Sequence, residues 1–394
     1  MLTLLLSSTR RSFSPLYFLP FYFNSMDIKV ITRHAPSNYG SLLQSIATQT
    51  VLERLGHRCE IIDYVRDDEY GLKAVITDMN NKRNRLGGAV KRMIYVMMRY
   101  PEEKCAEVKF DVMRQHYLKL TRRCSMYEDL ARLDADLFMT GSDQVWGPTL
   151  NGHYDGAYFL SFVKNKPKVA YAASFGRTEF TPQTIEEYKH LLSRYDSIAV
   201  REDSAVNLLK QMGIKCAGQV LDPTLLLTGD EWARYISHNV NGRYVLVYQL
   251  HNNPVLSDYA VRFARYVGLP LYRVSPTFHQ FWRGGKFVYL PDLGDFLSYI
   301  KNSTYMVTDS FHGTAFALNF NRQFIEILPN NKTGSRNQSI LQLTDLQDRI
   351  VTDYGDLSIA ERKIDYARVN AILAEERRKS MEIMKELCSI NKRK

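Results

Sequence analysis

Residues Ser303–Phe320 read STYMVTDSFHGTAFALNF, and the order of residue types in them decides the fold class. Tyr305–Thr308 is a short, mostly apolar run, the pattern of a strand buried on both faces. From Ala315 onward, apolar residues recur at helical spacing through Phe316 and Leu318. Between the two lies a polar turn of Asp309, Ser310, Phe311, His312 and Gly313. A buried strand, a polar turn and an apolar helix make one βα unit, and Gln323–Leu328 supplies the next strand. Units of this kind, repeated, build a doubly wound sheet in which ligands bind at the carboxyl ends of the strands. The turn therefore has two readings at this point: ordinary helix capping, or the mouth of a site.

The alternation extends in both directions. Asp27–Thr32 reads as a strand, Asn38–Leu55 as a helix closed by Gly56, and Arg58–Tyr64 as a second strand. Residues 66–125 break the rhythm with a basic, helical insertion. Strands resume at Ala135–Thr140, Lys168–Ala172 and Ser197–Val200, with helices near Thr184–Arg194 and Ser204–Met212. A second series starts near Arg243 with strands at Tyr244–Leu250, Leu271–Val274 and Tyr305–Thr308, and helices at Val255–Val267 and Leu293–Lys301. The tail Ile359–Ser389 carries one apolar stripe and is expected to be a long helix packed back on the rest. The predicted fold is α/β, two Rossmann-like domains in a GT-B-like arrangement with a long C-terminal helix. The expected division is 1–25 as a leader, 26–228, 229–350, and a helical segment 351–394.

Composition narrows the function. The chain has 394 residues, 45% of them hydrophobic and 24% charged, enough for two sizeable cores. Its five cysteines are scattered and form no C-x-x-C pair, which argues against a disulfide framework or a zinc site and predicts a reducing, cytoplasmic setting. The formal net charge of +10 suits an anionic small substrate or an anionic membrane surface. With no RNP, helix-turn-helix or zinc-finger signature, nucleic acid is not expected as a partner. The leader 1–25 has only short apolar runs interrupted by Arg10 and Arg11, well below the roughly 18–20 residues that span a bilayer. Met26, just before the first strand, reads as the natural start. Contact with the inner face of a membrane is left open for the leader and for the insertion.

If ligands bind at strand ends, the loops there hold the chemistry. RHAPSNYGSLLQ (Arg33–Gln44) offers Asn38 as a helix cap and Gly40 as a point of close approach. GSDQVWGP (Gly141–Pro148) combines Asp143, Gln144 and Trp146, types that bind sugars through a carboxylate and an indole face. Asp143 is also a candidate general base, while an Asx turn beside a core tryptophan explains the same residues. Arg201, at the end of a strand, suits a carboxylate or phosphate, or an ion pair with Glu202 or Asp203. Asp222 in VLDPTLLL reads as structural. His312 lies at a helix N-terminus, where free N–H groups and the dipole favour an anion. Lys332 and Arg336 fall in a loop, Asn330–Ile340, on the same rim. No metal motif and no dinucleotide fingerprint is present, so neither a metal nor a resident cofactor is expected.

Taken in order, NYGSLLQ, GSDQVW, ASFG, VREDSAV, VLDPTLLL and TDSFHGTAFAL resemble the polysaccharide pyruvyl transferase family, from about Asp27 to about Arg349. The resemblance implies a GT-B-like fold and transfer of pyruvate from phosphoenolpyruvate to a sugar of a cell-surface polysaccharide or its lipid-linked precursor, with formation of a ketal. It makes His312 and Asp143 the catalytic candidates. Arg201, Ser310, Gly313, Thr314, Lys332 and Arg336 become candidates for the donor, and Asn38, Tyr39, Gln44, Gln144 and Trp146 for the acceptor. One position departs from the pattern. Several members carry arginine two residues before the histidine, where this chain has Ser310, so the charge facing phosphate is expected from Arg201, Lys332 or Arg336. A GT-B glycosyltransferase using a nucleotide sugar, and a non-catalytic glycan-binding protein, remain as other readings of the same fold.

Overall fold

The computed structural model describes residues 25–66, 69–82, 87–148, 154–329 and 334–390. Two parallel sheets organise them. The first contains β1 (Asp27–Ile31), β2 (Arg58–Ile61), β3 (Leu137–Thr140), β4 (Lys168–Ala173), β5 (Ser197–Val200) and β6 (Gly218–Gln219), in the order β2-β1-β3-β4-β5-β6. The second contains β7 (Val245–Tyr248), β8 (Leu271–Ser275), β9 (Lys286–Tyr289), β10 (Tyr305–Thr308) and β11 (Gln323–Glu326), in the order β11-β10-β7-β8-β9. Strands β3, β4, β7 and β10 are buried at every position, because helices cover both faces of each sheet.

In each sheet the winding reverses direction once. The first starts at β1, sends β2 to one side and β3 to the other. The second starts at β7, sends β8 and β9 one way and β10 and β11 the other. The loops leaving β1, β3 and β10 therefore lie at the crevices where ligands bind in such sheets. These are the loops with Arg33, Asp143 and His312.

The two halves share one core. Tyr39, Leu225, Trp232, Phe296, Phe316 and Leu373 belong to a single buried apolar cluster. The Tyr39 ring stacks on Phe296 at 4.2 Å, and its hydroxyl donates to the Pro291 carbonyl at 2.5 Å. The C-terminal helix, Tyr366–Cys388, begins against the second sheet, where the Tyr366 hydroxyl meets Ala317 and Arg322 carbonyls. It then crosses back. Arg377 donates to the Leu225 carbonyl at 2.6 Å, and Ser380 accepts from the Leu221 amide at 2.9 Å. The cleft between the sheets is thus strapped on one side by packed apolar surface.

Several boundaries differ from expectation. The tail helix starts at Tyr366, where the Asp365 carboxylate accepts from the Ala367 and Arg368 amides, and Ile359 belongs to a separate short turn. The expected loop at Asn330–Ile340 is a helix from Ser335 to Leu343, so Arg336 stands in a helical first turn; residues 330–333, with Lys332, lie outside the described residues. Two strands go beyond the expected set: β6, whose two residues are too few to show a period of two, and β9, a four-residue strand at the edge of the second sheet with no fully buried position. Among the described residues, the insertion forms two helices, Gly71–Asn81 and Ala89–Tyr117, packed against one another. Among the described residues, no helix is long and apolar enough to cross a membrane.

Candidate active site between the two sheets

Beyond β3 the chain turns sharply. Asp143 takes a left-handed backbone, φ 73°, which Asp tolerates better than most residues. This turn aims the carboxylate into the cleft. Its Oδ1 accepts from the Gln144 amide at 2.8 Å and its Oδ2 from the Ser41 hydroxyl at 2.9 Å. Burial alone would raise its pKa, yet Arg33, His312, Arg201 and Arg336 together lower it to about 2. These four come from the ends of β1, β10 and β5 and from helix Ser335–Leu343. The sequence scatters them over some 300 positions, and the two windings bring them to one carboxylate.

Arg201 is held from one side. Its Nη1 donates to Asp222 Oδ2 at 2.7 Å, Glu202 Oε2 lies 3.6 Å from its Nε, and its guanidinium carbon stands 4.4 Å over the Phe311 ring. Its Nε and Nη2 are buried and have no hydrogen-bond acceptor. Arg336 lies 3.9 Å from Asp143, and with its amide oxygen turned inward Gln144 accepts from Arg336 Nη1 at 3.2 Å. Burial, then the neighbouring Arg201, press the Arg336 guanidinium down to about 10. Arg33 pairs with Glu69 at 2.5 Å, and its Nε likewise has no acceptor.

His312 completes the cluster. Its Nε2 is buried without a hydrogen-bond partner and stands 3.8 Å from Asp222 Oδ2, an ion-pair distance rather than a hydrogen bond. Asp222 is the hub. It accepts from Ser142, Arg201 and Thr224, and although burial opposes ionisation, His312 and Arg201 hold its carboxyl far below the usual range. The other face of the imidazole rests on Gly40, where a Cβ would lie 2.1 Å from Nδ1. Gly40→Ala must therefore push the ring aside. We expect a loss of about ten- to a hundredfold in turnover, since an error of about 1 Å in a reacting group costs that much. Steady-state kinetics beside an unchanged far-UV spectrum would check it.

The structure thus gathers Asp143, Gln144, Arg201, Arg336 and His312. Other expected residues point elsewhere. Trp146 is fully buried among Phe159, Phe175 and Tyr195 and donates to the Tyr158 carbonyl, so its indole has no face for a sugar. Tyr39 is spent in the clasp to Phe296 and Pro291. Gln44 is buried, its amide donating to Thr32, Ser41 and Ser45. Asn38 caps its helix through Gly40 and Ser41 amides. Ser310 caps helix Phe311–Asn319 by accepting from the Gly313 amide. Gly313 faces Thr308 and Met306, where a Cβ would lie 2.4 Å from the Thr308 hydroxyl. Thr314 donates to Glu326 at 2.5 Å. Asp309, the residue that opens the motif, is a brace: it accepts from the Leu250 and His251 amides at the end of β7. Arg33 and Ser142 are residues that sequence reasoning passed over, and Asp222 is one that it read as structural only.

Glu326, behind the turn, accepts from Thr314 and Asn337, and burial pushes its pKa from 4.5 up to about 8. Between those values only the folded state holds the proton, so this group lowers stability as pH rises through that window. Glu326→Gln is expected to flatten that part of the pH–stability profile, gaining on the order of a few kcal/mol on the parent by pH 8. Urea melts at pH 5, 6.5 and 8 would show it.

The sequence model of the polysaccharide pyruvyl transferase family matches residues 38–331. The chain belongs to the polysaccharide pyruvyl transferase family. That match contains Asp143, Gln144, Arg201, Asp222 and His312 of the cleft, whereas Arg33 and Arg336 lie outside it. No curated protein matches the chain. Among solved structures, S. aureus MnaA with UDP superposes with a TM-score of 0.50 at 13% identity, covering 89% of this chain and 91% of its own. A glycotransferase of kitacinnamycin gives 0.46 at 10% identity, covering 92% and 99%, and E. coli heptosyltransferase WaaC with ADP gives 0.40 at 10%, covering 89% and 100%. The architecture of this family member is GT-B-like, two parallel-sheet halves with a long C-terminal helix.

Proposed function

We propose that the protein transfers pyruvate from phosphoenolpyruvate to two hydroxyls of one sugar, in a polysaccharide or its lipid-linked precursor, forming a ketal and releasing phosphate. One observation carries this reading: Arg201 and Arg33 present buried N–H groups without acceptors, and His312 a buried ring nitrogen without a partner, beside an ionised Asp143. Unfilled buried donors each cost about 1–3 kcal/mol, and an anion with many oxygens offsets that cost. Phosphoenolpyruvate has a phosphate and a carboxylate, and three guanidiniums surround the cleft. The missing motif arginine at Ser310 is replaced in this reading by Arg336 and Arg33, which reach the same space from other elements.

The chemistry balances with these groups. A proton goes to the methylene carbon of the donor, which becomes methyl, and C2 takes the first sugar hydroxyl. The C2–O bond to phosphate breaks and the second hydroxyl closes the ketal. Two hydroxyl protons are lost; one equals the proton gained by carbon and the other leaves with phosphate. His312 is placed to deliver and recover a proton, with Asp222 steadying the charged ring. Asp143, with its low pKa, is a weak base and serves to orient a hydroxyl. The reading needs no resident cofactor.

Phosphate release from phosphoenolpyruvate, measured with purified protein and a mixture of glycosyl acceptors, tests the reading. Release that requires an acceptor and is lost in His312→Ala supports it. Turnover of a nucleotide sugar without turnover of phosphoenolpyruvate would replace it with glycosyl transfer, and glycan binding with neither turnover would leave a binding protein.

A further inference from the structure

The helix Ala89–Tyr117 buries Ala106, Phe110 and Met113 against the protein. On its opposite side Val90, Met93, Ile94, Met97, Val108 and Val112 are each 48–66% exposed. At 3.6 residues per turn these six fall within about 60° of one line, an apolar stripe from Val90 to Met97 that resumes at Val108 and Val112 beyond Pro101 and Lys104. Its partner helix Gly71–Asn81 adds exposed Leu72 and Ile76, one turn apart. Soluble surfaces seldom leave so much aliphatic area in one strip.

A second exposed apolar element stands beside it. The segment after β8 carries Phe278, Phe281 and Trp282, the last 87% exposed. It touches the long helix directly, the Phe278 amide donating to Glu102. Both elements leave the carboxyl ends of their sheets, the helices after β2 and the aromatic segment after β8. They therefore lie on the edge of the molecule where the cleft opens.

Charge identifies the occupant. Over residues 71–82 and 87–117 the cations are Lys73, Lys82, Lys91, Arg92, Arg99, Lys104, Lys109 and Arg114, and the acids are Asp78, Glu102, Glu103, Glu107 and Asp111, so the cations are in excess and that excess lies in the first half of the long helix. Arg283 and Lys286 extend this basic character beside the aromatics. A second copy would bring the same excess of positive charge and be repelled. An apolar stripe flanked by cations and edged by tryptophan matches an anionic bilayer surface, where aliphatic side chains enter the headgroup boundary and lysines meet phosphates. We propose that this face docks the protein on anionic lipid membranes, with the mouth of the cleft toward the headgroups. The docking does not rest on the identity of the donor, though it would bring a lipid-linked sugar to Asp143.

The chain carries its own reporter. Of its three tryptophans, Trp146 and Trp232 are fully buried, leaving Trp282 as the exposed one. Full-length protein is mixed with vesicles of phosphatidylcholine alone, or with about one-third phosphatidylglycerol, at low salt. We expect a blue shift of tryptophan emission and co-sedimentation at least about tenfold stronger with the anionic vesicles, weakened by salt. Met93→Asp with Met97→Asp should abolish both while leaving the thermal melt and soluble-substrate turnover intact, because both side chains are exposed. Lys91→Glu with Arg92→Glu should remove the preference for anionic vesicles. Equal failure to bind either vesicle overturns the proposal. So does a monomer–dimer equilibrium, seen by sedimentation without lipid, that the Met93 and Met97 substitutions abolish.

Discussion

His312→Ala is expected to lower turnover of phosphoenolpyruvate by about a thousandfold, the middle of the range for losing a general acid or base. His312→Gln is expected to do almost the same while leaving donor binding within about tenfold of the parent, since glutamine still donates a hydrogen bond but cannot transfer a proton. The fold should survive both. Asp222, which faces the imidazole at 3.8 Å, keeps its hydrogen bonds from Ser142, Arg201 and Thr224 when the ring is gone. Gly40 leaves room beside the shortened side chain. Calorimetric binding of the donor, read beside kcat, separates the two roles. If the glutamine variant retains more than about a tenth of the parent's turnover, His312 binds but does not transfer a proton.

The comparison with sequence has a physical pattern. Ser197–Val200, Leu293–Lys301 and Tyr305–Thr308 are placed to the residue, because apolar runs between polar turns encode burial directly. Arg201 is legible only as a cation at a strand end, which suits an anion or an ion pair alike, and the structure sets it on Asp222 with Glu202 3.6 Å from its Nε. The site is obscured where one side chain does two jobs. Asp222 reads as structural because LDPT is a helix-capping pattern, and its Oδ1 does accept from the Thr224 amide. Its other oxygen carries Arg201 and Ser142, which lie 21 and 80 positions away, and local pattern gives no sign of either. Trp146 errs in the other direction. An indole near a strand end suits a sugar, but the three rings that enclose it come from residues 159, 175 and 195, contacts set by packing alone. Arg33, at the start of the loop Arg33–Gln44, lacks any local mark, since its surroundings depend on Asp143 and Glu69 reaching it from other elements.

Arg201→Lys should raise KM for phosphoenolpyruvate by about a hundredfold, although the charge is kept. The guanidinium presents its donors in a plane: Nη1 is fixed by Asp222, the flat face lies over Phe311, and Nε and Nη2 remain for the ligand. An ammonium is one point of charge, and Asp222 would draw it in, leaving no fork for phosphate or carboxylate. Lysine is a better test than alanine. Arg201→Ala would strand Asp222 and Glu202 as buried carboxylates and cost about 3–5 kcal/mol of stability, confounding any loss of activity. The same pair fixes the acid side of the stability profile. Asp222 has its carboxyl depressed in the folded state, so its contribution is present above the ordinary carboxylate range and is lost as pH falls below it. Lysine preserves the ion pair, so the variant should keep that acid-side profile while losing donor affinity. A lysine variant that binds phosphoenolpyruvate as tightly as the parent would move the anion site from Arg201 to Arg33 and Arg336.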